Sequence, residues 1–231
     1  PRVDPEWRAR DPDNRWLTRG PRFRLDAEAI RDNALAIAGL LSREKGGGSI
    51  QPPQPAGLWT KVGGKKYRYE VSPGERRYRR GLYVVLKRGS PYPSLVTFDA
   101  TARMTCVVKR SRSNTPLQAL VLLNDPVYTE AALGFARRIV AEAAEAGVAG
   151  RLAHAFRLAL AREPTAAEAA VLRQLLKTER ERLGAQPERV AAVLEGHPAI
   201  SLPEGVSATD VVAWYAVAAA VLNLDETITK G

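Results

Sequence analysis

The sequence predicts a mainly α fold with a small β-hairpin or sheet (α+β), and a C-terminal half built like a helical bundle. Three observations lead there. Helix-start signatures recur at Thr115, Asp125, Thr165 and Ser207, and apolar residues return at helical spacing after them. Only between Gln51 and about Tyr92 does the texture turn to prolines, glycine pairs and short β-prone stretches.

Taken in order, residues 1–21 mix charge and proline without a period, which reads as a lead-in from an upstream domain, with Trp7 and Trp16 expected to anchor it. Residues 22–231 read as a single C-terminal module. Its first helix is expected over 26–43. Asp26 stands at the N-cap, Leu25 and Ile30 are placed for a hydrophobic staple, and Ile30, Ala34, Ile37 and Leu41 form one stripe that ends before Gly46-Gly-Gly-Ser49. A basic, β-rich segment follows over 51–100. In it Tyr67–Val71 and Gly81–Leu86 are the expected strands, and Pro91 and Pro93 force an extended exit. The helical region spans 115–224. Thr115-Pro-Leu-Gln118 puts a hydroxyl at the N-cap, proline at the first helical position and glutamine where it can reach back. Asn124-Asp125-Pro126 ends that helix and caps the next. Helices are expected near 116–124, 126–147, 150–162, 165–183, 187–195 and 207–223. Leu152, Phe156 and Leu160 form one core stripe, and Trp214, Val217, Val221 and Leu224 another.

Composition bounds the function classes. With 231 residues and 45% hydrophobic content the chain can bury a core as one domain or two small ones. It opens on Pro1 and has its only methionine at Met104, so it is expected to be a fragment or a processed form. A single cysteine, Cys106, excludes an internal disulfide framework, a Cys-x-x-Cys-His haem site and a multi-cysteine zinc site. No apolar run reaches the roughly 18 residues of a spanning helix. No signal-peptide pattern opens the chain either.

The net charge of +10 is concentrated. Between Lys61 and Arg112 there are 14 basic residues against Glu70, Glu75 and Asp99, an excess larger than that of the whole chain. Lys65, Lys66, Arg68, Arg76, Arg77, Arg79, Arg80, Lys87 and Arg88 are the candidate anion-binding residues, with Tyr67, Tyr69, Tyr78, Tyr83 and Tyr92 interleaved as stacking faces. A solvated face over packed tyrosines, a polyanion site and an interdomain docking surface all fit that pattern.

For chemistry the chain offers little. Cys106 lies near Arg103, Lys109 and Arg110, which would favour a thiolate, but sequence places no base beside it. His154 reads as a core or interface histidine and His197 as part of a turn, a poor pair for a metal. Gly63-Gly-Lys-Lys66 lacks the length and the hydroxyl of a phosphate loop. One polar cluster is not explained by amphipathic patterning: Asp99, Arg103, Cys106, Arg110, Arg112, Asn114, Thr115, Gln118, Asn124 and Asp125. Its arginines would suit a carboxylate or sulfate near the start of a proline-initiated helix. In the alternative, the groups satisfy one another, Arg112 pairing with Asp125 and Asn114 capping the turn.

The run Phe98-Asp-Ala-Thr-Ala-Arg-Met-Thr-Cys106 leading into Arg112-Ser-Asn-Thr-Pro-Leu-Gln-Ala-Leu-Val-Leu-Leu-Asn-Asp-Pro126 closely resembles the planctomycete domain-of-unknown-function family 1553. Members of that family lie at the C-terminus of large cytochrome c-linked proteins. Arg24–Arg31, Gln51–Trp59 and Ala213–Lys230 agree with the resemblance in order, from about residue 10 onward. Met104, where the family is usually acidic, and Ser113, usually threonine, depart from it. The resemblance implies a partner domain and a haem c domain upstream, an exported or periplasmic parent, and no catalytic residue to carry over. No cofactor is expected in this chain itself. Two functions fit. One is an accessory module that docks on upstream domains of the same polypeptide or binds anionic polysaccharide. The other is part of a composite oxidoreductase acting on carbohydrate, with the upstream cytochrome as electron acceptor. Nucleic acid suits the charge but not an exported parent, and no membrane span is expected.

Overall fold

The structure, a computed structural model, describes residues 4–20, 22–58, 61–62, 65–66, 68–202 and 204–230, with backbone alone at 61, 62, 65 and 66. In chain order the helices are α1 (Pro5–Arg10), α2 (Ala27–Ile37), α3 (Pro93–Thr97), α4 (Pro116–Asn124), α5 (Pro126–Glu142), α6 (Gly147–Leu160), α7 (Ala166–Ala185), α8 (Glu188–Gly196), α9 (Ala208–Leu222) and α10 (Asp225–Ile228). Two-residue strands β1 (Phe23–Arg24) and β4 (Thr229–Lys230) pair antiparallel, Phe23 opposite Lys230. The strands β2 (Lys61–Val62) and β3 (Lys65–Lys66) form a hairpin. The mainly α fold with a small β-hairpin is the one the sequence predicts.

Helices α5 and α9 make the most extensive contact and form the centre. Ala131, Ala132 and Ala136 on one and Ala213 and Ala218 on the other let the backbones approach, while Phe135, Trp214, Val217 and Val221 fill the space between. Leu152 and Phe156 of α6 and Leu172, Leu176 and Leu183 of α7 extend the same core. Each such side chain contributes about 1.5–3 kcal/mol by leaving water. Helix α2 packs on α5 where Gly134 sits. A Cβ there would meet Leu40 Cδ1 at 3.1 Å, so the residue is small because the two elements are close.

The caps explain where the helices start. The Thr115 N–H donates to Gln118 Oε1 at 3.4 Å, and Asp125 accepts from the Val127 N–H at 3.0 Å. Thr165 and Glu168 cap reciprocally, at 3.3 and 2.7 Å. At Ser207 the hydroxyl accepts from the Asp210 N–H, but the Asp210 carboxylate is turned outward to Arg151 of α6 and Arg180 of α7.

Five local expectations are corrected. The first helix ends at Ile37, not near residue 43, because Gly39 adopts φ +72° and a Schellman closure forms, with Leu40 N–H on Leu35 O and Gly39 N–H on Ala36 O. Helix α5 stops at Glu142, and a 3₁₀ turn over Ala144–Ala146 leads to α6. Gly81–Leu86 is no strand. Residues Gly81–Tyr83 form a 3₁₀ turn, and Val84 makes only an isolated bridge to Ile50. Finally, the lead-in is not anchored by its tryptophans: α1 buries no residue, and Trp7 and Trp16 are exposed. Instead Asp11 is buried within the segment's own loop, accepting the Arg15 and Trp16 N–H groups at 2.7 and 2.9 Å. Of the other expected strand, Tyr67–Val71, residue 67 lies outside the described residues and 68–71 form no strand.

Candidate functional site

The segment 97–126 runs from the end of α3 through an irregular stretch into α4, and its polar residues separate into four environments. The first is a structural clamp. Asp99, in the left-handed region at φ +63°, accepts the Ser113 N–H at 2.8 Å and the Arg24 guanidinium at 2.5 Å. Arg24 spends its remaining donors on the carbonyls of Ser113, Phe98 and Leu25, and Gln118 donates to Thr97 O and Ser113 Oγ. Asp99, Thr115 and Gln118 thus tie the chain across the α3–α4 junction.

The second environment is a bidentate pair in which Arg110 grips Glu28 of α2 at 2.6 and 3.0 Å. Burial alone would raise the Glu28 carboxyl, yet the hydrogen bond and charge of Arg110 hold it below its ordinary value. The third is interior. Asp125 is buried beneath Tyr92, whose hydroxyl lies 3.5 Å from its Oδ1. Desolvation pushes the Asp125 carboxyl up to about 6, against the opposing pull of the Val127 N–H, Tyr92 and the Arg31 charge. Burial likewise raises Tyr92 and Tyr128 well above their usual range. The expected Arg112–Asp125 pair is therefore not formed, because the carboxylate faces the core and Arg112 faces solvent.

The fourth environment is the surface. Arg103 and Cys106 stand exposed on the irregular stretch, and Asn124 merely closes α4 by donating to Leu120 O. Arg112 lies with its guanidinium 5.2 Å from the Phe23 ring centroid, and with Asn114 it lines a cleft of about 320 Å³ beside the β1–β4 pair. Among the described residues neither Arg112 nor the Asn114 side chain has a hydrogen-bonding or ionic partner.

Four of the nine candidate anion-binding residues are engaged within the chain. Arg79 is only 1% exposed, stacked 3.8 Å from the Tyr83 ring centroid, with its donors on Gly48 O at 2.9 Å and on Gly46 O. Arg77 pairs with buried Glu130 at 3.8 Å and Arg80 with Asp32 at 3.8 Å, while Arg68 pairs with Glu70 at 3.4 Å. Arg76 and Arg88 are exposed and Lys87 partly so; the side chains of Lys65 and Lys66 lie outside the described residues. His154 meets Glu142 at 3.1 Å, and His197 is held by Val193 O and Thr129 Oγ1. No group of three metal-ligating side chains occurs among the described residues.

The sequence matches the PSD1 family, a protein family of unknown function (DUF1553), over residues 1–176. The chain belongs to the PSD1 family. No curated protein and no solved structure matches it. Within this PSD1 chain the matched region contains α1 through α6, the clamp and the cleft's Arg112 side. The terminal stretch 213–230, which includes β4, lies beyond it.

Two features escape a reading of the sequence. Arg31, 1% exposed, donates to the carbonyls of Arg79 and Arg77, both at 2.7 Å, and so pins α2 to the segment 46 to 48 residues later. Its position beside Ile30 on the apolar side of α2 was the available signal. The other is a row on α4: Leu117, Leu120 and Leu123 are 57, 56 and 40% exposed, while Gln118 and Leu122 face inward. Residues three apart share a helix side, so an inert reading of that run as core stripe hides an outward-facing one.

Proposed function

We propose that this chain is an accessory, non-catalytic docking module, seating adjoining domains of its own polypeptide on the outer face of α4 and the stretch before it. The observation that carries this reading is the exposed leucine row on α4. Val96 of α3 adds to it, and α3 packs against α4. Met104, Val107 and Val108 on the preceding stretch are exposed as well. Rows of exposed apolar side chains such as that on α4 mark protein contact surfaces more often than bare solvent faces. Arg103, Lys109 and Arg112 lie along the same segment without an ionic partner among the described residues, which suits a partner with an apolar centre and an acidic rim.

Docking is favoured over anionic polysaccharide, since Arg77, Arg79 and Arg80 are engaged within the chain and leave no continuous cationic track among the described residues. In this reading the adjoining domains are those the resemblance implies, a partner domain and a haem c domain of an exported polypeptide. Titration calorimetry between the module and the region preceding it, made as separate chains, tests the proposal. Leu120→Glu is expected to weaken association at least about tenfold, the loss of one buried leucine contact. Equal affinity for the Leu120→Glu and unaltered modules would contradict it.

A further inference from the structure

We infer that the cleft between β1 and the segment 112–114 is a binding site for a single carboxylate attached to an apolar or planar body. The inference goes beyond the docking face on α4 and shares with it only Arg112, none of the α4 leucines lining the cleft. The cleft holds about 320 Å³, the lower end of the range in which small ligands are taken up.

Its charges can be followed one by one. Arg22 on the rim is paired with Asp225, and Arg24 beneath is committed to Asp99 and three carbonyls. Among the described residues lining the cleft, Arg112 alone keeps an unpaired guanidinium, so the cleft presents one net positive charge and matches a monoanion. A dianion such as phosphate would leave one charge uncompensated beside Asp225. The Arg112 guanidinium lies 5.2 Å from the Phe23 ring centroid, and its N–H groups, without a partner among the described residues, are available for the planar, two-oxygen fit that carboxylates make best. Asn114, two residues on and also without a side-chain partner among the described residues, can donate to a carboxylate oxygen or to a neighbouring polar atom. The Phe23 ring, 40% exposed, and Ile228 give the cleft an apolar side, beside the polar Ser113 and Thr229. An isolated guanidinium held by an aromatic ring next to a spare carboxamide is an arrangement that a structural role leaves unexplained, since neither group joins any element to another.

The carboxylate can come from a free organic acid or from an acidic side chain of a docked polypeptide. The same experiment separates them. Nitrogen–proton spectra of the full chain are titrated with benzoate, acetate, N-acetylglutamate amide and inorganic phosphate at constant ionic strength. Saturable shifts of the Arg112 side-chain N–H and of the Asn114 amide are expected with benzoate, larger than with acetate and absent with phosphate. A stronger response to N-acetylglutamate amide than to benzoate assigns the source to a polypeptide side chain, and the reverse to a free acid. Arg112→Gln, at an exposed position that leaves the fold intact, is expected to abolish saturation, and Asn114→Ala to weaken it. Shifts that grow linearly with every anion, or saturation that survives Arg112→Gln in a variant with unchanged melting, would overturn the inference. Failure here leaves the α4 docking measurement unaffected, because Leu120 does not line the cleft.

Discussion

At Asp125 a helix cap and a buried charge are the same group, and the two roles favour different protonation states. The carboxylate caps α5, but burial raises it to about 6 from an ordinary 3.8. Because the folded group holds its proton more tightly than the unfolded one, its contribution to stability is complete below about pH 3.8. It is lost as pH rises through about 6, a difference of about 2–3 kcal/mol. An asparagine side chain in its place would cap without carrying the charge. Asp125→Asn is therefore expected to gain stability over the unaltered chain between pH 4 and pH 7 in urea unfolding, with the gain flat above. At Asp99 the logic reverses, since its removal strands the Arg24 guanidinium, whose side chain is 8% exposed. Asp99→Ala is expected to cost about 3 kcal/mol or more. Arg103→Ala, on the exposed stretch nearby, should stay within about 0.5 kcal/mol in the same denaturant series. The caps at Thr115, Gln118 and Asp125 were legible because their partners lie within a few residues. The Arg24–Asp99 pair spans 75 residues and follows no local pattern.

Among the elements, α2 and the helices from α4 to α9 were readable from caps and period, with boundaries displaced where a left-handed residue intervened, as at Gly39 after α2 and at Ala161 after α6. The stretch 81–86 misled because its β-branched and aromatic residues suit a strand only when a partner strand lies alongside. Here the chain turns instead, and Gly81 lets it do so: a Cβ at that position would meet the Glu28 backbone and Cβ at 2.9–3.0 Å. The Gly81 N–H donates to Asp32 Oδ1 at 2.6 Å, so the turn is fastened to α2 from two sides. Gly81→Ala must push the turn off α2, at a cost of about 1–3 kcal/mol. Its signature is a lowered melting temperature, with protection of the α2 amides lost before that of α5 in hydrogen exchange.

For the whole molecule, the sequence located the decisive segment but not how its residues are divided. The three arginines of that segment are distributed by the fold into an exposed stretch (Arg103), an ion pair with α2 (Arg110) and a cleft beside β1 (Arg112), because α2, β1 and the α3–α4 junction, distant in sequence, converge there. The leucine row on α4 resembles a core stripe in sequence, and only the turning of Gln118 toward the α3–α4 junction and the burial of Leu122 decide which side is left outside. The docking proposed for that outer side would make the module a structural member of a larger polypeptide. Hydrogen exchange of residues 104–124, compared between the module alone and the full polypeptide, tests this most directly. Slower exchange across α4 in the full polypeptide, abolished by Leu120→Glu, is the expected result; identical rates over 104–124 in both forms would contradict docking at this face.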